Sequence, residues 1–463
     1  CYVFRLKQLA INGVKNNFNW LIMITQIGCS MAFNIIRNRD KSSCLFKRTL
    51  FLLYFQLRPL QIMIKSQLQN ENNFKNYWQK GNGKELLDWA KIHPEVSTFH
   101  HYLPLYHQID LLADETVKDT YLKLPYKEAS ALISQYSKNP ISYTDDAPES
   151  VRNLFLQMQE IPDWYDENLA NMGAKFCMRT GANGLMILRD FTLMGGYDFA
   201  YLNKPLIFTG ALKKGAVKRL KDTLEFWVHV TRENALKTNS EAYQLIARTR
   251  LMHSYARLKI KEKTPNWDYE NWGEPINHWD MIATYTGFSL VFMQGLSKLG
   301  IQISDQEEKG LYHLWKYIGY LLGIPEKHLP ENREQAIDQF YWWTKIQEKG
   351  DADSALLAKA LLQENLDNTI YKNTFQRKIL LKLHQSMNWF LLDKEVNERL
   401  QIPKPSIVFS IFPRFVVKAN LFTQKIYDLD QPKKYQKLVN MGDEQQMKVL
   451  ADYIKHTPQD FHY

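Results

Sequence analysis

The chain has 463 residues, 45% hydrophobic and 23% charged, a balance that fits a globular protein and excludes a disordered or fibrous one. Its net charge of +10 invites a nucleic-acid reading, but residues 1–62 carry nine basic residues against Asp40 alone, a net of +8 that leaves only +2 for the remainder. A body so nearly neutral exerts no general pull on phosphate backbones, so nucleic acid is not an expected partner.

In chain order, the leader comes first. Trp20 to Ile36 and Thr49 to Leu57 are semi-apolar runs, and neither reaches the roughly 18–20 clean apolar residues of a membrane span. Around Cys29-Ser30-Met31-Ala32 a signal-peptide cleavage site fits only loosely. The preferred expectation is a native start at Met63 and a cytoplasmic protein. The alternative is membrane association through the leader, whose basic and aromatic residues suit an anionic surface. Three of the four cysteines, Cys1, Cys29 and Cys44, lie in this leader. Cys177 is alone in the body, which excludes an internal disulfide, a cysteine-rich zinc site and an iron–sulfur cluster there and is compatible with a reducing compartment.

The body, residues 63–463, reads as helix after helix, and no segment shows sustained alternation with hairpin turns. Asp146-Ala147-Pro148-Glu149 predicts an N-cap and a helix that buries Val151, Leu154, Phe155 and Met158. Thr238 to Glu241 and Ser304 to Glu307 match the capping-box pattern, and each precedes a long apolar-periodic run. The second run stops at Gly323 before Pro325. Further helices are predicted at about 166–194, 215–233, 277–299, 331–349, 352–365, 375–398 and 441–456. Lys263 to Asn277 is the clearest loop. With no repeat and no linker, one large all-α domain is expected.

Most enzyme motifs are missing: the sequence has no phosphate-binding glycine loop, no GxSxG and no HExxH. His93, His100, His101 and His107 fall within fifteen residues but lack convergent spacing, and read as loop histidines. Arg250, His253 and Arg257 stand at i−3, i and i+4 and share a helix face. Neighbouring cations disfavour imidazolium, and a neutral imidazole is what a metal requires. Two carboxylates, from a ligand or from the protein, would balance the arginines. The spacing alone is equally that of a core histidine in a structural ion-pair network. Upstream, Arg219 and Thr223 share another face, which by itself is an ordinary amphipathic surface.

Taken in order, Arg219-Leu220-Lys221-Asp222-Thr223, then Arg250-Leu251-Met252-His253 with Arg257, resemble the motifs of the bacterial latex-clearing proteins, or rubber oxygenases, and of related fungal oxygenases that cut a terpenoid side chain. Trp267-Asp268, Gly273-Glu274-Pro275-Ile276-Asn277, Phe288-Ser289, Gly295-Leu296, Leu299-Gly300, Trp315, Gly319, Leu322 to Glu326 and Pro330 extend the resemblance over roughly 150–345. It implies a globin-like helical core with additional helices and a bound haem b. It further implies His253 as the proximal iron ligand, Arg250, Arg257 and Thr223 around the cofactor, and Arg219 and Thr223 as the residues serving catalysis. The implied partners are dioxygen and a hydrophobic, lipid-like substrate, such as an isoprenoid, oxidised or cleaved at a carbon–carbon double bond. The sequence departs from the family at two places. Asp222 stands where the rubber enzymes carry a lysine able to cap the iron, and Leu202-Asn203-Lys204 has no carboxylate where they carry a glutamate base. A haem-binding or sensing protein without turnover, and a helical interaction protein without a cofactor, are the alternative readings.

Overall fold

A computed structural model describes residues 71–95, 98–139, 142, 146–210 and 216–457. The leader and its runs lie outside these residues. Asn73–Tyr463 forms one compact unit. Among the described residues the only β pairing is an isolated bridge between Phe199 and Lys349, so the all-α expectation holds.

The long helices run α1 (Glu71–Gln79), α2 (Asn82–Ala90), α3 (Leu111–Asp119), α4 (Tyr126–Lys138), α5 (Glu149–Gln159), α6 (Glu167–Arg179), α7 (Gly181–Ile187), α8 (Ala200–Phe208), α9 (Ala216–Val230), α10 (Glu241–Lys263), α11 (His278–Thr286), α12 (Asp305–Leu321), α13 (Arg333–Lys345), α14 (Ala352–Asp367), α15 (Thr374–Leu391), α16 (Phe412–Ile426) and α17 (Pro432–His456). The central scaffold is the α6–α12 pair. Gly173 and Gly310 meet at their crossing, where a Cβ on Gly173 would fall 2.3 Å from the Gly310 carbonyl oxygen, so the two backbones touch directly.

The caps correct two sequence expectations. The helix foreseen from Asp146 begins at Glu149 with Pro148 at its N-cap, although Val151, Leu154, Phe155 and Met158 are buried as expected. The Thr238–Glu241 capping box does not form: Asn239 takes a positive φ, and Ser240 caps α10 by accepting from the Tyr243 amide. The Ser304–Glu307 box forms in full. The single helix foreseen at 166–194 is broken at Gly181, whose φ of +54° ends one helix and starts the next. The run foreseen at 375–398 likewise divides at Leu392. Tyr269–Trp272 adds a helical turn inside the predicted loop.

Two irregular helices meet in the core. α7 continues through a π-helical stretch, Leu188–Leu193, to Gly196. α11 continues through another, Gly287–Val291, to Lys298. These π-stretches pack against each other. Such stretches are concentrated at functional sites because they re-aim side chains and loosen the local ladder.

Candidate functional site

α10 carries the Arg250–His253–Arg257 face and packs against α3, α9 and α12. Both arginines are buried, and each is met by a carboxylate of the α3 segment. Arg250 donates from Nε to Asp110 Oδ2 at 2.6 Å and from Nη2 to Gln157 Oε1 at 2.8 Å. Arg257 donates from Nη2 to Asp114 Oδ1 at 2.5 Å, from Nε to the same oxygen at 3.0 Å, and from Nη1 to the Ile276 carbonyl at 3.1 Å. Ser254 also donates to Asp114. Asp110 has a second task, capping α3 by accepting from the Ala113 amide. Of the two sources of balancing carboxylates left open by the sequence, the protein supplies its own.

Gly323 gives the Arg250–Asp110 pair its room. Its φ of +84° ends the segment after α12, and a Cβ there would lie 2.1 Å from Asp110 Oδ2 and 2.7 Å from Arg250 Nε. The glycine that reads in the sequence as a helix stop is also the floor of an ion pair.

His253 borders a narrow cleft with Asp110, Arg250, Arg257 and His278, walled by Ile276, Met281, Leu322 and Ile324. The cleft holds little more than one water, about 10 Å³. Burial first, and then the Arg257 cation, push the His253 imidazole down to about 4 against a smaller opposing effect of Asp110. Burial therefore outweighs the flanking charge that the sequence suggested as the cause. Its Nδ1 is buried and meets no hydrogen-bond partner among the described residues. His278, the first residue of α11, leaves both ring nitrogens in the same condition and is also held near 4, chiefly by burial.

Arg219 and Thr223 are not part of that cleft lining. They lie on α9, which packs along α10. Thr223 Oγ1 donates to the Arg219 carbonyl one turn back, at 3.0 Å. The Arg219 guanidinium donates to the buried Tyr197 hydroxyl and stands 5.4 Å from that ring's centroid. Burial alone lowers Arg219 to about 10, with no carboxylate acting against it. Asp222 pairs with Lys221 at 2.7 Å and is open to solvent. Asn203 is buried and donates to the Tyr197 carbonyl, while Lys204 is engaged by Asp351 and Asp353. His229, further along α9, sits 3.5 Å from Glu241, outside the cleft.

Among the described residues no cluster of three or more His, Cys, Asp or Glu side chains could hold a metal ion by itself. A haem needs less: one axial donor, room for a planar ring and cations for its acid groups. Three features bear on those needs, at separate places in the fold, and the cleft beside His253, about 10 Å³, is itself too small for a ring. His253 is neutral with an unengaged nitrogen. A Cβ on Gly196 or on Gly287, at the two π-stretches, would meet nothing within 4 Å. Among the described residues Arg219 is a half-buried cation that meets no carboxylate, and it lies outside the His253 cleft.

Sequence reasoning missed Asp110, Asp114 and Tyr197. The signal for the aspartates was present: Asp110 and Asp114 are spaced i, i+4 across an apolar turn, which complements the arginine spacing on α10.

The fold is all-α, and it is shared with a solved latex-clearing protein. The solved structure of latex clearing protein LCP in the closed state superimposes with a TM-score of 0.58 at 15% identity, covering 74% of this chain and 91% of that one. The family model described as "ER-bound oxygenase mpaB/B'/Rubber oxygenase, catalytic domain" matches residues 184–417, just over half the chain, and the protein belongs to this oxygenase family. No curated protein matches it.

Proposed function

We propose that this oxygenase is haem b-dependent, with His253 as the axial ligand, and that it uses dioxygen to oxidise or cleave a carbon–carbon double bond in an isoprenoid or other lipid-like substrate. The observation that carries the reading is the state of His253: an imidazole held neutral, unengaged at Nδ1, on a helix fixed by two buried ion pairs. When bound, the haem would supply the redox chemistry with dioxygen that no side chain provides.

The chain's own residues have separable tasks. His253 presents an unprotonated ring above a pH of about 4, so no proton competes for the ligating nitrogen under ordinary conditions. Arg250 and Arg257 contribute to the cofactor site by position. Engaged by Asp110 and Asp114, they lock the rotation of α10, and Arg257 helps keep His253 neutral. Arg219 is the cation free of a carboxylate and suits an anionic group of the cofactor or a polarised oxygen of the substrate. Thr223, one turn on, offers a hydroxyl beside it and a rigid β-branched wall. The apolar wall of Ile276, Met281, Leu322 and Ile324 would keep water from the His253 ring. The Asp222 and Asn203 substitutions speak for an alkene other than rubber.

The test is an absorption spectrum of the purified protein with pyridine haemochrome analysis, followed by incubation with isoprenoid alkenes under oxygen. A Soret band with haem b and oxygen-dependent carbonyl products supports the reading. Haem without products supports the sensing alternative, and absence of haem after supplementation rejects the cofactor.

A further inference from the structure

The segment from Lys404 to Ile426 is apolar on its outer as well as its inner side. α16 faces the protein with the buried Pro413, with Val417 and Leu421 against Gly300, and with polar groups: Asn420 donates to the Leu299 carbonyl and pairs with Asn183, and Gln424 donates to the Gly300 carbonyl while accepting from the Gln302 amide. Its solvent side is apolar. Phe415 and Phe422 are 66% and 65% exposed, and Ile411 and Ile426 continue the line at 42% and 48%. The spacing of these four, i, i+4, i+11 and i+15, makes one stripe along the helix. The preceding turn adds Ile407 and Val408 at 83% and 78%. A surface helix ordinarily keeps its outer face polar, so a second apolar stripe left in solvent marks an interaction surface.

Charge identifies that neighbour. Between Glu398 and Asp428 the chain has no acidic residue, while Lys404, Arg414, Lys418 and Lys425 are exposed. Arg414, Lys418 and Lys425 fall at i+3, i+7 and i+14 from Ile411, a cationic rail beside the apolar stripe. None of these three is paired with a carboxylate among the described residues. Like charge disfavours the same face of a second copy, and it disfavours the leader, which is itself strongly basic. Among the described residues no helix is long and apolar enough to cross a membrane, so the fitting geometry is a helix lying in the interfacial plane.

We propose that the exposed face of Ile407–Ile426 docks the protein on an anionic lipid bilayer, with Phe415 and Phe422 inserted among the acyl chains and Arg414, Lys418 and Lys425 on the headgroups. The face owes nothing to the cofactor reading and stands or falls by itself.

The experiment is vesicle flotation of the full chain with phosphatidylcholine alone and with about 30% phosphatidylserine added. Binding to the anionic vesicles is expected, weakened by high salt and weak on the neutral ones. Phe415→Ser with Phe422→Ser, and separately Arg414→Glu with Lys418→Glu, should each lower the partition coefficient by about tenfold or more. Ile161→Ser, at an exposed apolar residue elsewhere, should leave it unchanged. Binding that is equal on both vesicles, that is absent, or that survives both double variants overturns the proposal, the last outcome assigning the contact to another segment such as the leader. A wild-type dimer that both double variants convert to monomer also overturns it, making the face a self-interface.

Discussion

Replacing Asp114 by Asn removes the charge that compensates Arg257 and leaves the shape almost intact. Arg257 and Asp114 side chains are only 2% and 5% exposed, and Arg257 directs two of its nitrogens at that carboxylate. Breaking a buried pair by neutralising one partner strands the other charge and costs about 3–5 kcal/mol. That is a large share of a total stability of about 5–15 kcal/mol. Removing the exposed Lys84–Asp88 pair, by contrast, should cost about 0.5 kcal/mol or less. Urea unfolding followed by circular dichroism measures both. A double variant, Asp114→Leu with Arg257→Met, should recover most of the loss, because two apolar groups of similar volume leave no stranded charge. If Asp114→Asn costs no more than Lys84→Ala, or if the double variant is as unstable as the two single changes added together, the pair does not hold α10 and the positioning argument fails.

Thr223→Val deletes a hydroxyl whose only protein partner shown is the carbonyl one turn back, so stability should move by less than about 1 kcal/mol while haem retention or turnover falls. Arg219→Ala relieves a half-buried cation that meets no carboxylate among the described residues but also takes the partner of the buried Tyr197 hydroxyl, so stability should move by less than about 2 kcal/mol while the same two functions fall. Unchanged haem content and turnover in both would return this face to an ordinary amphipathic surface. For pH, His278 is held near 4 in the fold and titrates near 6.5 when unfolded. The folded state therefore binds fewer protons between those values, and stability is full above about pH 6.5 and declines as the pH falls toward 4, by up to about 3 kcal/mol. Urea midpoints at pH 7 and pH 5 should diverge more in the wild type than in His278→Leu, and equal divergence would show that the imidazole is not held neutral.

The helical character of the body was legible because apolar spacing near 3.6 persists from residue 149 to 456, and Ser304 with Glu307 marked a helix start that forms as read. Boundaries failed where a local alternative won, as at Ser240, which outcompeted Thr238 once Asn239 turned to positive φ. The π-stretches were not legible, since Leu188–Leu193 and Gly287–Val291 carry the same apolar periodicity as an α-helix and differ only in how the carbonyls pair. At the site, the shared face of Arg250, His253 and Arg257 was readable from spacing. Their partners were missed although the i, i+4 spacing of Asp110 and Asp114 was there to read, because they lie about 140 residues away in a stretch whose helix was not anticipated. The helix α16 was not anticipated at all, and periodicity alone would not have told which of its sides meets the protein.

The central claim is that His253 holds the iron, and His253→Ala tests it most directly. The chain has no C-x-x-C-H attachment motif, so an axial imidazole would be the one protein bond to the haem iron. Arg250 and Arg257 stay protonated and are engaged by Asp110 and Asp114, so neither can replace it. The account predicts a folded His253→Ala protein with little or no haem by pyridine haemochrome, partly restored by added imidazole. An unchanged haem spectrum in His253→Ala, with loss of haem in His278→Ala or His229→Ala instead, would contradict it.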